Sequence, residues 1–146
     1  MKIHSSKELK RYNYLSSEID AAYHELSSKM GLPDSSMIVL YTICDNGDSC
    51  PLRDIVHNSG ISKQTVNSAL RKLETEGIIY LEPAGSRNKI VCLTKQGKIL
   101  AAQTARRIID MENDILSSWR PEDVAKYLEL TERYLRDLKD RIKTSI

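Results

Sequence analysis

The sequence predicts a mainly α fold with a small β wing, and three observations predict it. Residues 52–94 read as helix, Gly-containing turn, helix and two short β-branched runs joined by a basic loop. On both sides of that stretch apolar residues recur three and four apart, the period of a helix with one buried face. Aromatic residues are only 5% of the chain and Phe is absent, so Leu, Ile, Val and Met must build the core.

The elements follow in order. Ser5 is expected to cap the first helix with Glu8 answering in a capping box. Leu9, Tyr12, Ile19, Ala22, Tyr23, Leu26 and Met30 form its stripe, and Gly31 and Pro33 stop it. Asp34 or Ser35 is expected to cap a shorter helix whose run Met37-Ile38-Val39-Leu40-Tyr41 is largely buried. Asp45-Asn46-Gly47-Asp48 is a turn. Leu52, Ile55 and Val56 then make the inner face of a third helix, Gly60 takes a left-handed turn position, and Ile61 anchors the turn. Ser62 caps a fourth helix held inward by Val66, Ala69, Leu70 and Leu73, with Gly77 as its left-handed end. Residues 78–82 and 89–93 read as antiparallel strands, with Pro83 to Asn88 as their loop.

From Thr94 one helix is expected through Ile99, Ala102, Ala105, Ile108, Glu112, Ile115 and Trp119. Pro121 followed by Glu122 and Asp123 opens another, because Pro fits the first helical position and acids suit the positive end of the dipole. Its stripe is Val124, Leu128, Thr131, Leu135, Leu138 and Ile142, broken only by Thr131. The reading is one domain over 1–146: a winged helix-turn-helix lobe at 34–97, flanked by N- and C-terminal dimerisation helices at 1–32 and 98–146. The long outer stripes predict a homodimer, since a small lobe with its own core would leave them uncovered. Packing of the three outer helices on each other is the other reading.

Function enters through the fourth helix. With its apolar side turned inward, Ser62, Lys63, Gln64, Thr65, Asn67, Ser68, Arg71 and Lys72 face outward or end-on. Gln and Asn pair bidentately with adenine, Lys and Arg reach guanine or phosphate, and Ser and Thr contact bases or backbone. The basic loop adds Ser86, Arg87, Asn88 and Lys89, with Arg87 placed to enter a minor groove and Lys89 to meet a phosphate. The net charge is only +2, but residues 49–98 hold eight Lys or Arg against four acids, a net +4 that leaves the rest at −2. The positive field thus sits where double-stranded DNA would need it. Plain solvation of a helix surface is the alternative for each residue taken singly.

Other classes find less support. No G-x-S-x-G, phosphate loop or H-E-x-x-H is present, so no catalytic residue is assigned and the chain is not read as an enzyme. His4, His24 and His57 are scattered, so neither a metal site nor a cofactor is expected. No apolar run reaches a membrane span, and the start MKIHSSKELKRY lacks a signal-peptide core. Three cysteines without C-x-x-C spacing point to a reduced, cytoplasmic protein.

The run Leu52–Gly97 resembles the MarR family, the multiple-antibiotic-resistance type of bacterial transcriptional regulators. The resemblance is carried by the core LRDIV…GIS…TV…ALRKLETEGII, the basic wing and the closing Val91-Cys92-Leu93-Thr94-Lys95-Gln96-Gly97. Length and flanking helices agree, so it extends over essentially the whole chain. It implies a homodimer with interlocked N- and C-terminal helices, a repressor on a pseudo-palindromic operator, and release by a small aromatic or phenolic effector. The wing departs from the family pattern at Gly85, where an acid usually orients the Arg two residues on. The implied effector pocket would draw on Tyr12, Tyr23, Met30, Met37 and Tyr41, whose other reading is core. Two alternatives stand beside this function: a winged-helix module that binds protein, and a redox-sensing regulator using Cys44, Cys50 or Cys92. Some family members carry the sensing thiol near the N-terminal helix, and here no Cys precedes Cys44.

Overall fold

The computed structural model describes residues 3–85 and 88–146. The chain divides into two compact units, residues 1–108 and residues 109–146.

The first unit begins with α1 (Lys7–Lys29). Its cap is Ser6, whose hydroxyl accepts the Leu9 N–H at 3.1 Å, and not Ser5. That shift puts Leu9 where the capping box needed Glu8, so Glu8 contributes only its charge near the helix start. Gly31, at φ 76°, turns the chain out of α1. The second helix, α2 (Asp34–Asp45), starts from Pro33 with no side-chain cap, where Asp34 or Ser35 was expected to serve. Asp34 is already helical, and its carboxylate instead accepts His24 Nδ1 of α1 at 2.7 Å. Met37, Val39, Leu40, Ile43 and Cys44 make α2 the centre of the core, against α1, α3, α4, α5 and the sheet.

The sheet has three strands rather than two. After a turn that puts Gly47 and Asp48 at positive φ comes β1 (Ser49–Pro51). With β2 (Ile79–Ala84) and β3 (Asn88–Leu93) it forms an antiparallel sheet of order β1-β3-β2. Three residues are too few to show a period, and β1 is set by long-range pairing of Cys50 with Val91 and of Pro51 with Ile90. The wing strands run further than expected, because Pro83 pairs with Lys89 and Ala84 with Asn88. Pro83 is tolerated since β2 is an edge strand.

Between β1 and β2 lie α3 (Leu52–Ser59) and α4 (Lys63–Thr75), joined through Gly60 at φ 74°. Ile55 is fully buried, Ile61 is half-buried, and Val66, Ala69, Leu70 and Leu73 face inward as the period requires. Gly77 ends α4 at φ 76°.

The helix expected from Thr94 to Trp119 is two helices, α5 (Lys95–Gln103) and α6 (Ala105–Ser118). The break is Thr104, at φ −129° and ψ −93°, buried and donating its hydroxyl to Leu100 O at 2.7 Å. Ala101, Ala105 and Ile108 are buried on both sides of it, so the break leaves the apolar spacing intact and is invisible to it.

In the second unit, α7 (Pro121–Ser145) opens with Pro121 and two acids in its first turn. Trp119 stacks on Tyr127 with ring centroids 5.6 Å apart. No described residue of α7 is buried, and Leu128, Leu135, Leu138 and Ile142 stand exposed along one stripe.

Candidate nucleic-acid interface

The register of α4 decides what its outer face offers. With Val66, Ala69, Leu70 and Leu73 inward, Lys63, Gln64, Thr65, Ser68, Arg71 and Lys72 are exposed and Asn67 is half-buried. Ser62 fixes the start of this helix. Its hydroxyl accepts the Thr65 N–H at 3.1 Å and donates to Thr65 Oγ1 at 2.8 Å. Thr65 therefore keeps a hydroxyl proton to donate outward, while Ser62 is occupied in capping.

Five of the expected residues come together. Lys63, Gln64, Asn67, Arg71 and, from β3, Lys89 border a groove of about 570 Å³ floored by Leu52, Leu70 and Leu81. Glu74 is the one acid on its border. A second cleft, of about 460 Å³, adjoins it and shares Leu52, Lys63 and Lys89. Asn88 lines this one, and so does Arg53 of α3, which the sequence pattern does not single out. Its signal in the sequence is slight, a single cation on the polar side of α3. Ser68 and Lys72 are exposed on α4 but border neither hollow. Ser86 and Arg87 lie outside the described residues.

Charge pairing leaves this surface available. Among the described residues, ion pairs join His24 to Asp34, Lys29 to Glu25, Arg106 to Asp48, Lys126 to Glu129, and Arg120 to Glu122 and Asp123. None uses Arg53, Lys63, Arg71, Lys72 or Lys89. Amides and unpaired cations around a concave, apolar-floored track are suited to hydrogen-bond base edges and hold phosphates.

The thiols have a different character. Cys44, Cys50 and Cys92 are free and buried. Burial pushes all three above the ordinary thiol value, helped at Cys50 by the charge of Asp54 and opposed at Cys44 by Arg106. A raised thiol has little thiolate and reacts slowly. Among the described residues no three His, Cys, Asp or Glu converge as metal ligands. The residues expected to line an effector pocket are spread in burial: Met37 is buried, Met30 and Tyr41 are half-buried, and Tyr12 and Tyr23 are exposed on α1. No described helix is long and apolar enough to cross a membrane.

Comparison with known proteins finds a family likeness over part of the chain and a shared fold over nearly all of it. The MarR family model matches residues 30–87. No curated protein sequence matches the chain. A MarR family regulator from Neisseria meningitidis superposes with a TM-score of 0.83 at 17% identity, covering 97% of this chain and 100% of that one. The S. aureus MepR–DNA complex gives a TM-score of 0.67 at 20% identity, covering 92% and 99%. NadR in complex with 4-hydroxyphenylacetate gives 0.60 at 15% identity, covering 94% and 95%. At these identities the solved structures establish the shared fold, with its mainly helical body and small three-stranded sheet.

Proposed function

We propose that the chain is a winged helix-turn-helix transcriptional regulator of the MarR family, whose model matches residues 30–87, and that it works as a homodimeric repressor on a pseudo-palindromic operator. The observation that carries this reading is the groove bordered by Lys63, Gln64, Asn67, Arg71 and Lys89. Gln64 and Asn67 read base edges, Arg71 reaches guanine or phosphate, and Thr65, Ser68 and Lys72 add contacts from the exposed face of α4. Ser86, Arg87 and Asn88, basic or polar in the sequence, are further proposed DNA contacts. The MepR–DNA complex supports DNA as the partner.

The exposed stripes on α1 and on α7 support the dimer, because a second copy would bury them. Two α4 helices then meet the duplex about one helical turn apart. A small aromatic or phenolic effector releases the operator, and the 4-hydroxyphenylacetate complex of NadR supports that class. Tyr12, Tyr23, Met30, Met37 and Tyr41 are its proposed contacts. Three free thiols fit action in the reducing cytoplasm. Their burial gives no support to redox sensing.

The test is retention of genomic fragments by the purified protein over a salt series. DNA binding should fall with a log–log slope of about −0.9 for each phosphate neutralised. Failure to retain any fragment at low salt would favour a protein-binding module instead.

A further inference from the structure

We infer that Arg53, at the start of α3, is an additional arm of the interface, and that the cleft it shares with Lys63, Asn88 and Lys89 holds a phosphodiester of the DNA backbone. The inference rests on the DNA-binding reading above and adds to it a site and a division of labour. Three separate elements build the cleft: α3 supplies Arg53, α4 supplies Lys63, and the wing supplies Asn88 and Lys89. Sheet register brings them together. Pro51 pairs with Ile90, so the chain leaving β1 into α3 runs beside Lys89.

The charge of the cleft is one-sided. Among the described residues three cations and one amide line it, and no carboxylate does. The groove along α4, in contrast, has Glu74 on its border. Asp54, next to Arg53 in sequence, is half-buried and is not part of the lining. Like charges gathered in a concavity repel one another unless an anion sits among them, and an apolar floor of Leu52, Val56 and Ile90 strengthens the field they make. The planar fork of an Arg suits the two free oxygens of a phosphodiester. Base reading then belongs to the groove with Gln64 and Asn67, and backbone positioning to the cleft with Arg53.

Backbone contacts are independent of sequence, so a pool of random 30-bp duplexes is a sufficient probe. Arg53 is exposed, and its removal should leave the melting temperature unchanged. Arg53→Ala should lower the steepness of the log–log salt dependence by about 0.9 per lobe, and Arg53→Lys should restore it. The same loss should appear on every duplex. A slope for Arg53→Ala equal to that of the unaltered protein would overturn the inference while leaving DNA binding intact. If the unaltered protein binds no duplex, both readings fall. Tight calorimetric binding of inorganic phosphate without DNA, abolished by Arg53→Ala, would make the cleft a free-anion site and would also overturn the inference.

Discussion

Gly97 lies so close to the carbonyl oxygen of Ile78 that a methyl group on it would stand 2.0 Å from that atom. The contact holds the first turn of α5 against the chain just after α4. Thr94 reinforces it, donating its hydroxyl to Gly77 O at 2.6 Å and accepting the Gly97 N–H at 2.9 Å. Backbone cannot swing aside as a side chain can, so Gly97→Ala must push α5 away from the end of α4. A loss of about 3 kcal/mol is expected, which is a fall in melting temperature on the order of 10 °C for a chain of this size. Thermal unfolding followed by circular dichroism measures it, and an unchanged midpoint would show that the two segments are free to separate.

Asp48 is the one described non-glycine residue at positive φ, at 70°. Its N–H donates to Ile43 O, its carbonyl accepts from Leu93 N–H, and its carboxylate pairs with Arg106 at 2.9 Å. The paired side chains are 46% and 39% exposed, so screening limits the pair to at most about 1 kcal/mol. The left-handed backbone costs a comparable amount in a residue with a Cβ. Asp48→Gly relieves one and loses the other, and stability should move by less than about 0.5 kcal/mol. Asp48→Ala keeps the strain and loses the pair, and should cost about 1 kcal/mol. Urea midpoints of the two variants decide it, and equal losses in both would show that the backbone is unstrained.

The legible parts of this fold are those with a local period. Val66, Ala69, Leu70 and Leu73 announce one buried face of α4, and that face implies the outward residues Lys63, Gln64 and Arg71. Features set by distant partners are not legible. β1 exists because Cys50 meets Val91, some forty positions on, and no three-residue period can report that. Arg53 joins the cleft through the same pairing. The break at Thr104 is hidden for the opposite reason, since the inward spacing of Ala101, Ala105 and Ile108 continues across it. At the N-terminus two adjacent serines offer two registers, and only the hydrogen bond from Leu9 distinguishes Ser6 from Ser5.

The buried thiols give a pH dependence with a definite sign. Burial raises Cys44, Cys50 and Cys92 above the ordinary 9.0 in the folded chain. As pH rises through that value the unfolded chain ionises first and binds fewer protons than the folded one. Stability is therefore fully present below pH 9 and declines above it. Urea unfolding at pH 8 and pH 10 should show the decline, and Cys50→Ala should make it shallower. A midpoint that rises over this range would contradict the burial of these groups.

Self-association should depend on the apolar stripe of α7. Leu128 is 55% and Leu135 50% exposed in the single chain, which is costly for large aliphatic side chains unless something covers them. Leu135→Glu places a charge on that stripe and should weaken dimerisation by about 100-fold. Arg133→Glu introduces the same acid about 200° around the helix and should leave association intact. Sedimentation equilibrium of both variants is the measurement. If Leu135→Glu dimerises as tightly as the unaltered protein, the interface lies away from α7.

Base preference should depend on Asn67 more than on Lys72. Asn67 is half-buried on the border of the α4 groove, so its amide is held in few orientations, as bidentate recognition of one base requires. Lys72 is exposed, borders neither hollow, and can offer only a mobile charge. Selection from random duplexes should therefore return one preferred site for the unaltered protein and for Lys72→Ala, with affinity lowered for the latter. Asn67→Ala should lose discrimination at one base pair per half-site, by about 1–3 kcal/mol, while binding the remaining positions as before. If Asn67→Ala selects the same site with the same discrimination, the groove does not read bases through this residue, and sequence choice must come from the wing or from DNA shape.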